Sequence, residues 1–289
     1  MIEVTKEILK SVYQPRPIDK AVRKYDYGLL LIIGGSDFYS GQPTISALAA
    51  LKAGVDVIRV IAPKRAADII ASFFPTISAY PLDGNWLEKR HLATLLSMAE
   101  SAKEVSRGKT ALVIGGGMGR TKETQEAIAE FLINNSLPMV IDADAIYALA
   151  KSPQSIKGEN SIITPNTYEF YALTGREIYQ LPDEEKVKIV QEEAKKLQTT
   201  IVLKGKIDII SNGKEVAINR TGSPYLSKMG IGDAFAGICG AFLAKGIDSF
   251  VAAQAAAYIN GLAGEMAAKK MKDSLSVLDL IEAIPKVIG

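Results

Sequence analysis

The sequence predicts an α/β fold in which helices cover both faces of a mostly parallel sheet. Short apolar runs rich in β-branched residues alternate along the chain with segments of helical length and period. That alternation is typical of repeated β-α-β units, whose strands are buried on both faces and are therefore apolar. A chain of 289 residues is also long enough to bury a core of this kind.

Six of the apolar runs are expected to be strands of this sheet. They are residues 28–33, 56–61, 110–114, 138–141, 160–163 and 200–203. Helices are expected where apolar residues recur with the period of a helix, or where alanine dominates. These segments are residues 43–53, 122–134, 183–197, 233–245, 249–270 and 277–285.

A hairpin is expected to add an antiparallel pair to the sheet. Residues 207–211 and 215–219 are both apolar runs, and Asn212-Gly213 between them is a strong signal for a two-residue turn. The sheet should therefore be mixed. Since no repeat, low-complexity tract or linker interrupts the chain, we expect residues 1–289 to form a single domain.

The composition argues against several classes of protein. Lysine and arginine number 34 against 32 aspartates and glutamates, and their scattered charges favour neither a nucleic-acid partner nor an anionic membrane. The apolar stretches fall far short of the roughly 20 residues of a membrane span, and the N-terminal residues have no apolar signal core. Cys239 is the single cysteine, which fits a reducing cytoplasm.

The single histidine narrows the chemistry further. One His91 argues against a Ser-His-Asp triad or a histidine-rich metal site, and we expect it to be a solvated residue on a surface helix. Catalysis then has to rest on carboxylates, lysines, hydroxyls and backbone amides. In open α/β sheets, ligands bind beyond the carboxyl ends of the strands, so these groups should be sought in the loops that follow the strands.

Two of those loops are rich in glycine. The first, GGSDFYSGQP at 34–43, is either a cradle of amides for a substrate or anion, or simply a tight turn between strand and helix. The second, GGGMGR at 115–120, has four glycines within five residues, which suggests close approach of the backbone to a ligand. It is not a P-loop, because the lysine and its spacing are missing.

Two further loops carry carboxylates. In VIDADAI, Asp142 could hold a substrate hydroxyl or a metal-bound water, with a purely structural role equally open, whereas Asp144 is expected to cap the next helix. In TPNTYEF, Asn166 and Glu169 would share one face of a helix that starts at the proline. Their oxygens suit a hydrated Mg²⁺ held partly through water, and a capping role is equally open for Asn166.

The fifth loop, GIGD, precedes an apolar helix. The amides of Gly230, Ile231 and Gly232 would point out of the helix N-terminus and form an anion hole suited to phosphate. Asp233 is then either a helix cap or a base that accepts a proton from a substrate hydroxyl during phosphoryl transfer.

Taken in order, these motifs resemble those of one enzyme family. GGSDFYSGQPTISALAALKAG, IGGGMG, DADAI, VLKG and a glycine-rich stretch ending in GD, followed by AGICGAFLAKG, are similar to the ADP-dependent NAD(P)H-hydrate dehydratases of the ribokinase-like superfamily. The similarity extends over residues 24–285. It implies a three-layer α/β/α sandwich without a separate lid domain, and a homo-oligomer that in this family is often a tetramer.

The resemblance also implies a reaction. The family repairs nicotinamide cofactors that have been hydrated at the ring: the new hydroxyl is phosphorylated from ADP, or ATP in some members, and phosphate is then eliminated to restore NADH or NADPH. Asp233 would be the base at the hydroxyl, and the amides of Gly230, Ile231 and Gly232 would hold the transferred phosphate. The other implied roles are binding of the hydrated nicotinamide by Gly35, Ser36, Tyr39, Gly117 and Asp142, binding of the nucleotide by Lys204, Gly205 and Gly232, and contact with Mg²⁺ by Asn166 and Glu169.

Two positions depart from the family pattern. Residues 164–169 read TPNTYE instead of a TPHPGE-type sequence, and this is the Pro-Asn-x-x-Glu pattern of sugar and vitamin kinases in the same superfamily. Residues 229–233 read MGIGD where GGTGD is usual. A kinase that phosphorylates a small hydroxylated metabolite and stops there is therefore the alternative hypothesis. A nucleotide-binding regulator without catalysis is a third, against which the retained Asp233 argues.

Overall fold

All strands in the described part of the chain belong to one sheet. The computed structural model describes residues 1–13, 15–156 and 160–289, and its ten strands have the order β1-β10-β9-β8-β7-β6-β5-β2-β3-β4. Strands β1 to β10 are Ile2–Glu3, Leu29–Ile33, Val57–Pro63, Ser78–Leu82, Thr110–Ile114, Met139–Ile141, Ser161–Ile163, Thr200–Leu203, Asp208–Ser211 and Val216–Asn219. Helices α1 to α11 are Leu9–Val12, Gln42–Lys52, Lys64–Phe73, Leu92–Val105, Lys122–Asn134, Asp144–Leu149, Thr167–Thr174, Asp183–Leu197, Ile231–Ala244, Ser249–Met271 and Val277–Ile288.

The sheet is mostly parallel, as predicted. Only the pairs β8/β9 and β9/β10 are antiparallel among the pairings of the described strands. The turn between β9 and β10 contains Gly213 with φ +83°, which the Asn-Gly signal predicts. Strand β2 lies between β3 and β5, so the chain first builds the sheet in one direction and then returns to extend it in the other.

Helices cover both faces of the sheet and enclose two hydrophobic cores. Along β2, Leu30 and Ile32 face the core beneath α2, α3, α9, α10 and α11, while Leu31 and Ile33 face the core beneath α4 to α8. Successive residues of a strand point to opposite faces, so a strand covered on both sides has to be apolar at every position. This confirms the predicted α/β class and its helix-sheet-helix layering.

Helix α9 packs unusually close to its neighbours. A Cβ atom at Gly237 would lie 2.2 Å from the carbonyl oxygen of Ser46 in α2, and one at Gly240 would lie 2.5 Å from Cγ2 of Val113 in β5. Only glycine fits at such distances. These contacts hold the N-terminus of α9 at a defined place above the sheet.

Several elements were not expected from the sequence. The edge strand β4, SAYPL, is mostly exposed and contains Pro81, so it has no continuous apolar run and tolerates proline because it is an edge. Strand β1 is only two residues long, and both are exposed. Helix α3 was also not predicted from the sequence. Among the described residues, none of the helices combines the length and apolarity that crossing a membrane requires.

The expectation for His91 was wrong, because this side chain is buried. Its Nδ1 accepts a hydrogen bond from the backbone N–H of Glu88 at 3.1 Å, and its Nε2 lies 2.9 Å from the carbonyl oxygen of Asp83. The imidazole therefore caps the 3-10 turn Lys89–His91 that leads into α4. Its role is structural.

Candidate active site

The two glycine-rich loops meet between β2 and β5, where the strand order reverses. The N–H of Gly35 donates a 2.8 Å hydrogen bond to the carbonyl oxygen of Gly116, and a Cβ atom at Gly34 would lie 2.7 Å from the same oxygen. Backbones approach this closely only where side chains are absent. Such a reversal leaves a crevice beyond the carboxyl ends of the strands, which places the candidate active site here.

The first loop is a tight turn built around Ser36. The N–H of this buried residue donates to the carbonyl of Tyr39 at 3.1 Å, and its Oγ accepts from the N–H of Tyr39 at 3.1 Å. A Cβ atom at Gly117 of the second loop would lie 2.9 Å from Cβ of Tyr39. The four residues that the family resemblance assigns to the substrate side therefore lie together, and their binding role stays a prediction; they are Gly35, Ser36, Tyr39 and Gly117.

Asp233 lies against the second glycine loop rather than capping its helix. The N-cap of α9 is Gly230, with φ +92°, and Asp233 is the third residue of the helix. A Cβ atom at Gly116 would lie 2.6 Å from Oδ1 of Asp233, so this carboxylate reaches the crevice between β2 and β5. Burial raises the pKa of Asp233 to about 7, the charge of Asp142 raises it too, and Lys204 opposes the shift. A carboxylate with this pKa is poised to exchange protons near neutral pH.

The N-terminus of α9 carries the three residues predicted to form an anion hole. The first N–H groups of a helix have no partner within it, and those of Ile231 and Gly232 belong to this set. The side chain of Ile231 packs against Ala267, Ala268 and Leu275. The bulky residue at this position is thus part of the core around α10, and its backbone amide remains at the helix terminus.

Lys204 links the carboxylates at the edge of the sheet. Its Nζ donates a 2.8 Å hydrogen bond to Oδ1 of Asp142 and lies 3.9 Å from Oε2 of Glu169. A Cβ atom at Gly232 would lie 3.3 Å from the same nitrogen, so Lys204 also adjoins the N-terminus of α9. Burial lowers the pKa of Lys204, but Asp142 and Glu169 outweigh burial and hold the pKa above its usual value. The ammonium group is therefore charged and central to the site.

Asp142 has a second partner that the sequence did not reveal. The hydroxyl of Thr164 donates a 2.6 Å hydrogen bond to Oδ1 of Asp142. Thr164 directly follows β7, and Asp142 directly follows the neighbouring strand β6. A hydroxyl residue at the carboxyl end of a strand was the sequence signal that could have identified Thr164 as a site residue. Asp142, Thr164 and Lys204 thus bring together the ends of β6, β7 and β8.

The prediction that Asp144 caps a helix was wrong. Asp144 is the first residue of α6, and its carboxylate accepts hydrogen bonds of 2.8 Å from the N–H of Gly119 and from Nε of Arg120. A Cβ atom at Gly119 would also lie 2.5 Å from the ring of Trp86. Asp144 therefore holds the second glycine loop in place, a long-range role that local sequence cannot show.

Asn166 and Glu169 form a reciprocal capping box at the start of α7. The Oδ1 of Asn166 accepts hydrogen bonds from the N–H groups of Tyr168 and Glu169, both at 2.9 Å, and Oε2 of Glu169 accepts from the N–H of Asn166 at 2.8 Å. Burial raises the pKa of Glu169, and Lys204 opposes the shift. The capping alternative for Asn166 is thus observed.

These bonds limit how Mg²⁺ could be held. Both acceptor positions on Oδ1 of Asn166 are in use, whereas Oε1 of Glu169 lies outside the capping box. The described residues contain no group of three or more histidines, cysteines or acids arranged to hold a metal ion. The donor set therefore fits a hydrated ion that takes most of its ligands from water and from a bound phosphate, with Glu169 as the carboxylate nearby.

The segment after β8 leads away from this cluster. Gly205 is exposed, and its N–H donates to Oδ1 of Asp208 at 3.3 Å. Asn219 donates to Oδ2 of Asp208 at 3.0 Å, and burial raises the pKa of Asp208 to about 6. The predicted nucleotide role of Gly205 is not tested by these contacts and stays a prediction.

Similar proteins are known for nearly the whole chain. A family model described as NAD(P)H-hydrate dehydratase matches residues 30–286. The bifunctional NAD(P)H-hydrate repair enzyme of Pyrobaculum aerophilum is 42% identical over 92% of this chain and 51% of its own length. The ADP-dependent (S)-NAD(P)H-hydrate dehydratase of Nitrosopumilus maritimus is 30% identical over 92% of this chain and 90% of its own length. The chain thus spans about half the length of the bifunctional relatives it matches.

The fold is shared with a solved structure. An ADP/ATP-dependent NAD(P)H-hydrate dehydratase from Bacillus subtilis, co-crystallised with ATP and Mg²⁺, matches with a TM-score of 0.78 at 23% identity, covering 99% of this chain and 97% of that one. This likeness confirms the three-layer, ribokinase-like architecture. Because the family model covers nearly all of the chain and its motifs converge at one edge of the sheet, this protein belongs to the NAD(P)H-hydrate dehydratase family.

Proposed function

We propose that this protein restores NADH and NADPH from their hydrated forms, with ADP or ATP as phosphate donor. The observation that carries the proposal is the position of Asp233 in the first turn of α9, with its Oδ1 against Gly116 between β2 and β5. The first N–H groups of this helix have no partner within it, which supports an anion site beside Asp233. The names of the relatives in both the bifunctional and the single-function group support the substrate class.

Asp233 is the proposed base. Its carboxylate accepts the proton of the ring hydroxyl as that oxygen attacks the terminal phosphorus of the nucleotide. A pKa of about 7 suits this role, because the group is basic enough to take the proton and is partly ionised at neutral pH. The negative charge of the transferred group is stabilised by the amides of Gly230, Ile231 and Gly232, and positioning and charge stabilisation supply most of the catalysis in such transfers.

The two substrates are assigned to opposite sides of Asp233. The hydrated nicotinamide lies over the glycine loops, near Gly35, Ser36, Tyr39, Gly117 and Asp142. The nucleotide approaches from Lys204 and Gly205 along the N-terminus of α9 at Gly232, where the positive charge of Lys204 and the helix dipole both favour phosphate.

Magnesium is the proposed counter-ion of the nucleotide. It would lie near Glu169 and be held through water, and Asn166 would fix Glu169 through the capping box. When bound, the ion neutralises charge on the phosphates. The B. subtilis relative co-crystallised with ATP and Mg²⁺ supports this part of the proposal.

We further propose a single-domain, cytoplasmic homo-oligomer, with a tetramer as the expected assembly. The lone buried Cys239 and the absence of strong net charge support an intracellular setting with small-molecule partners. Size-exclusion chromatography with light scattering tests the assembly, and a monomeric mass would contradict it.

The test of the function is an assay with hydrated NADH and hydrated NADPH, each offered ADP or ATP. Return of the near-ultraviolet absorbance of the reduced nicotinamide, with one AMP released per NADH when ADP is the donor, is the expected result. A stable phosphorylated product without that absorbance would instead support the kinase alternative suggested by the Asn166-x-x-Glu169 pattern. No reaction with any of the four pairs would contradict both.

A further inference from the structure

The proposed reaction needs a second proton acceptor. Hydration of the reduced nicotinamide places a hydroxyl on ring carbon C6 and a hydrogen on C5. Phosphorylation uses one base, for the proton of the hydroxyl. Restoring the C5=C6 double bond then requires removal of a proton from C5, and the inference below rests on the proposed function because this requirement exists only for that reaction.

Asp233 is already committed at that stage. It holds the proton taken from the hydroxyl when the phosphoryl group is transferred, and its own position is beside the N-terminus of α9, on the side of the phosphate. It is therefore the natural donor to the departing phosphate oxygen. A different group has to face the neighbouring carbon.

Asp142 has the geometry for this second role. Its two side-chain hydrogen bonds, from Lys204 and Thr164, both end on Oδ1. Within the described part of the chain, Oδ2 accepts no hydrogen bond and is not among the fully buried atoms without a partner, so it keeps a small exposure in a residue that is 3% exposed. The ammonium group of Lys204, 2.8 Å from Oδ1, fixes the orientation of the carboxylate.

Asp142 and Asp233 flank the same short piece of backbone. A Cβ atom at Gly115 would fall 1.7 Å from the carbonyl oxygen of Asp142, and one at Gly116 would fall 2.6 Å from Oδ1 of Asp233. The glycine pair thus adjoins the backbone of Asp142 and the carboxylate of Asp233. Lys204 joins the two side chains, since its Nζ lies 2.8 Å from Oδ1 of Asp142 and would lie 3.3 Å from a Cβ atom at Gly232, the residue before Asp233. A ring bound over this glycine pair with its hydroxyl at Asp233 would turn the adjacent carbon toward the side of Lys204 and Asp142.

We propose that Oδ2 of Asp142 accepts the C5 proton in the elimination step. The C6–O bond breaks with its electron pair going to the phosphate oxygen, which takes the proton held by Asp233. The lone pair of ring nitrogen N1 forms the N1=C6 bond and leaves a ring cation. The C5–H bond then breaks and its proton goes to Asp142. The electrons of that bond form the C5=C6 double bond, and the π electrons of N1=C6 return to N1 as its lone pair. The products are NADH or NADPH, phosphate and one proton released to solvent.

The first test separates the two chemical steps in Asp142→Asn. With hydrated NADH and ADP in a single turnover, we expect AMP to form at a rate within a few fold of wild type, while NADH formation falls by about 10²-fold or more, the usual contribution of a general base. Deuterium at C5, introduced by hydrating NADH in D₂O, should slow NADH formation in the variant and leave AMP formation unchanged. Asp68→Asn, an exposed carboxylate paired with Lys64, is the matched control and should behave as wild type.

A second variant keeps the test decisive if Asp142→Asn does not fold. Asp142→Glu retains the carboxylate but moves its oxygens, so NADH formation should slow more than AMP formation. Equal loss of both steps in either variant would show that Asp142 only positions the substrate, and normal NADH formation would exclude it. If wild type forms neither AMP nor NADH, the proposed function itself fails. That failure is seen in wild type alone, whereas failure of the proposed role of Asp142 is seen only when the variants are compared with an active wild type.

Discussion

Lys204 and Asp142 form an ion pair across 62 positions of sequence, with Nζ 2.8 Å from Oδ1. The pair joins the ends of β6 and β8 and places one positive charge among three carboxylates, those of Asp142, Glu169 and Asp233. Removing the cation would leave these acids to repel one another in a poorly solvated site.

Lys204→Met should therefore destabilise the fold. A fully buried pair costs 3–5 kcal/mol when one partner is lost, and since the Lys204 side chain is 23% exposed we expect a smaller loss, about 1–3 kcal/mol. Urea unfolding at neutral pH measures it. Lys64→Met, which breaks an exposed pair with Asp68, is the control and should change stability by less than about 0.5 kcal/mol. Equal effects in the two variants would contradict the central role of Lys204.

Asp233→Asn should abolish turnover while preserving the fold. The amide is nearly isosteric but cannot accept the hydroxyl proton, so kcat should fall by about 10²–10⁴-fold. Calorimetric titration with ADP should give a Kd close to that of wild type, because the amides of Gly230 to Gly232 are unchanged. Activity near the wild-type level would remove Asp233 from the mechanism.

The same variant should change how stability depends on pH. The folded-state pKa of Asp233 is about 7, against an ordinary value of 3.8, so between those values the folded protein holds a proton that the unfolded chain has lost. The free energy of unfolding contributed by this group therefore falls as pH rises from about 4 to about 7. Asp233→Asn lacks this loss. The free energy of unfolding of the variant minus that of wild type should therefore rise as pH increases from about 4 to about 7. A constant difference between pH 4 and pH 8 would show that the pKa is not raised.

The glycine loop offers a graded steric test. Gly116→Ala introduces a Cβ atom 2.6 Å from Oδ1 of Asp233, at a backbone conformation that alanine tolerates, so activity should fall by about 10²-fold with a minor change in stability. Gly115→Ala meets Asp142 oxygen at 1.7 Å with φ +134°, so it should impair folding. Gly41→Ala meets nothing within 4 Å and should resemble wild type in both assays. Full activity in Gly116→Ala would place Asp233 elsewhere in the working enzyme.

Glu169→Gln should raise the magnesium concentration needed for half-maximal activity. The amide oxygen can still accept the N–H of Asn166, so the capping box survives while the negative charge is lost. Titration of activity with Mg²⁺ at saturating nucleotide measures the shift, and thermal unfolding should remain close to wild type. An unchanged titration would show that Glu169 serves the helix alone.

Much of the molecule follows from the sequence alone, because the responsible signals are local. A strand covered on both faces has to be apolar at each position, so runs such as LLLII identified the parallel strands, and Asn212-Gly213 identified the hairpin. The edge strand β4 lacked such a run, since only Leu82 of its five residues is buried, and it was missed for that reason. The loop at 115–120 stood out because it contains more glycines than a turn requires, and Asp233 stood out because Gly230 and Gly232 directly precede it.

What only the tertiary structure decided is which partner each polar group takes. The sequence left Asp144 as a cap and His91 as a solvated residue, and it named no protein partner for Lys204. In the folded chain Asp144 bonds to Gly119 and Arg120, His91 is buried, and Lys204 pairs with Asp142. The Lys204–Asp142 pair depends on strand order, which brings the ends of β6, β7 and β8 side by side. Hydrogen bonds and ion pairs act over a few ångströms in space, so the partners of Asp144 and Lys204 are set by the packing of segments distant in the chain.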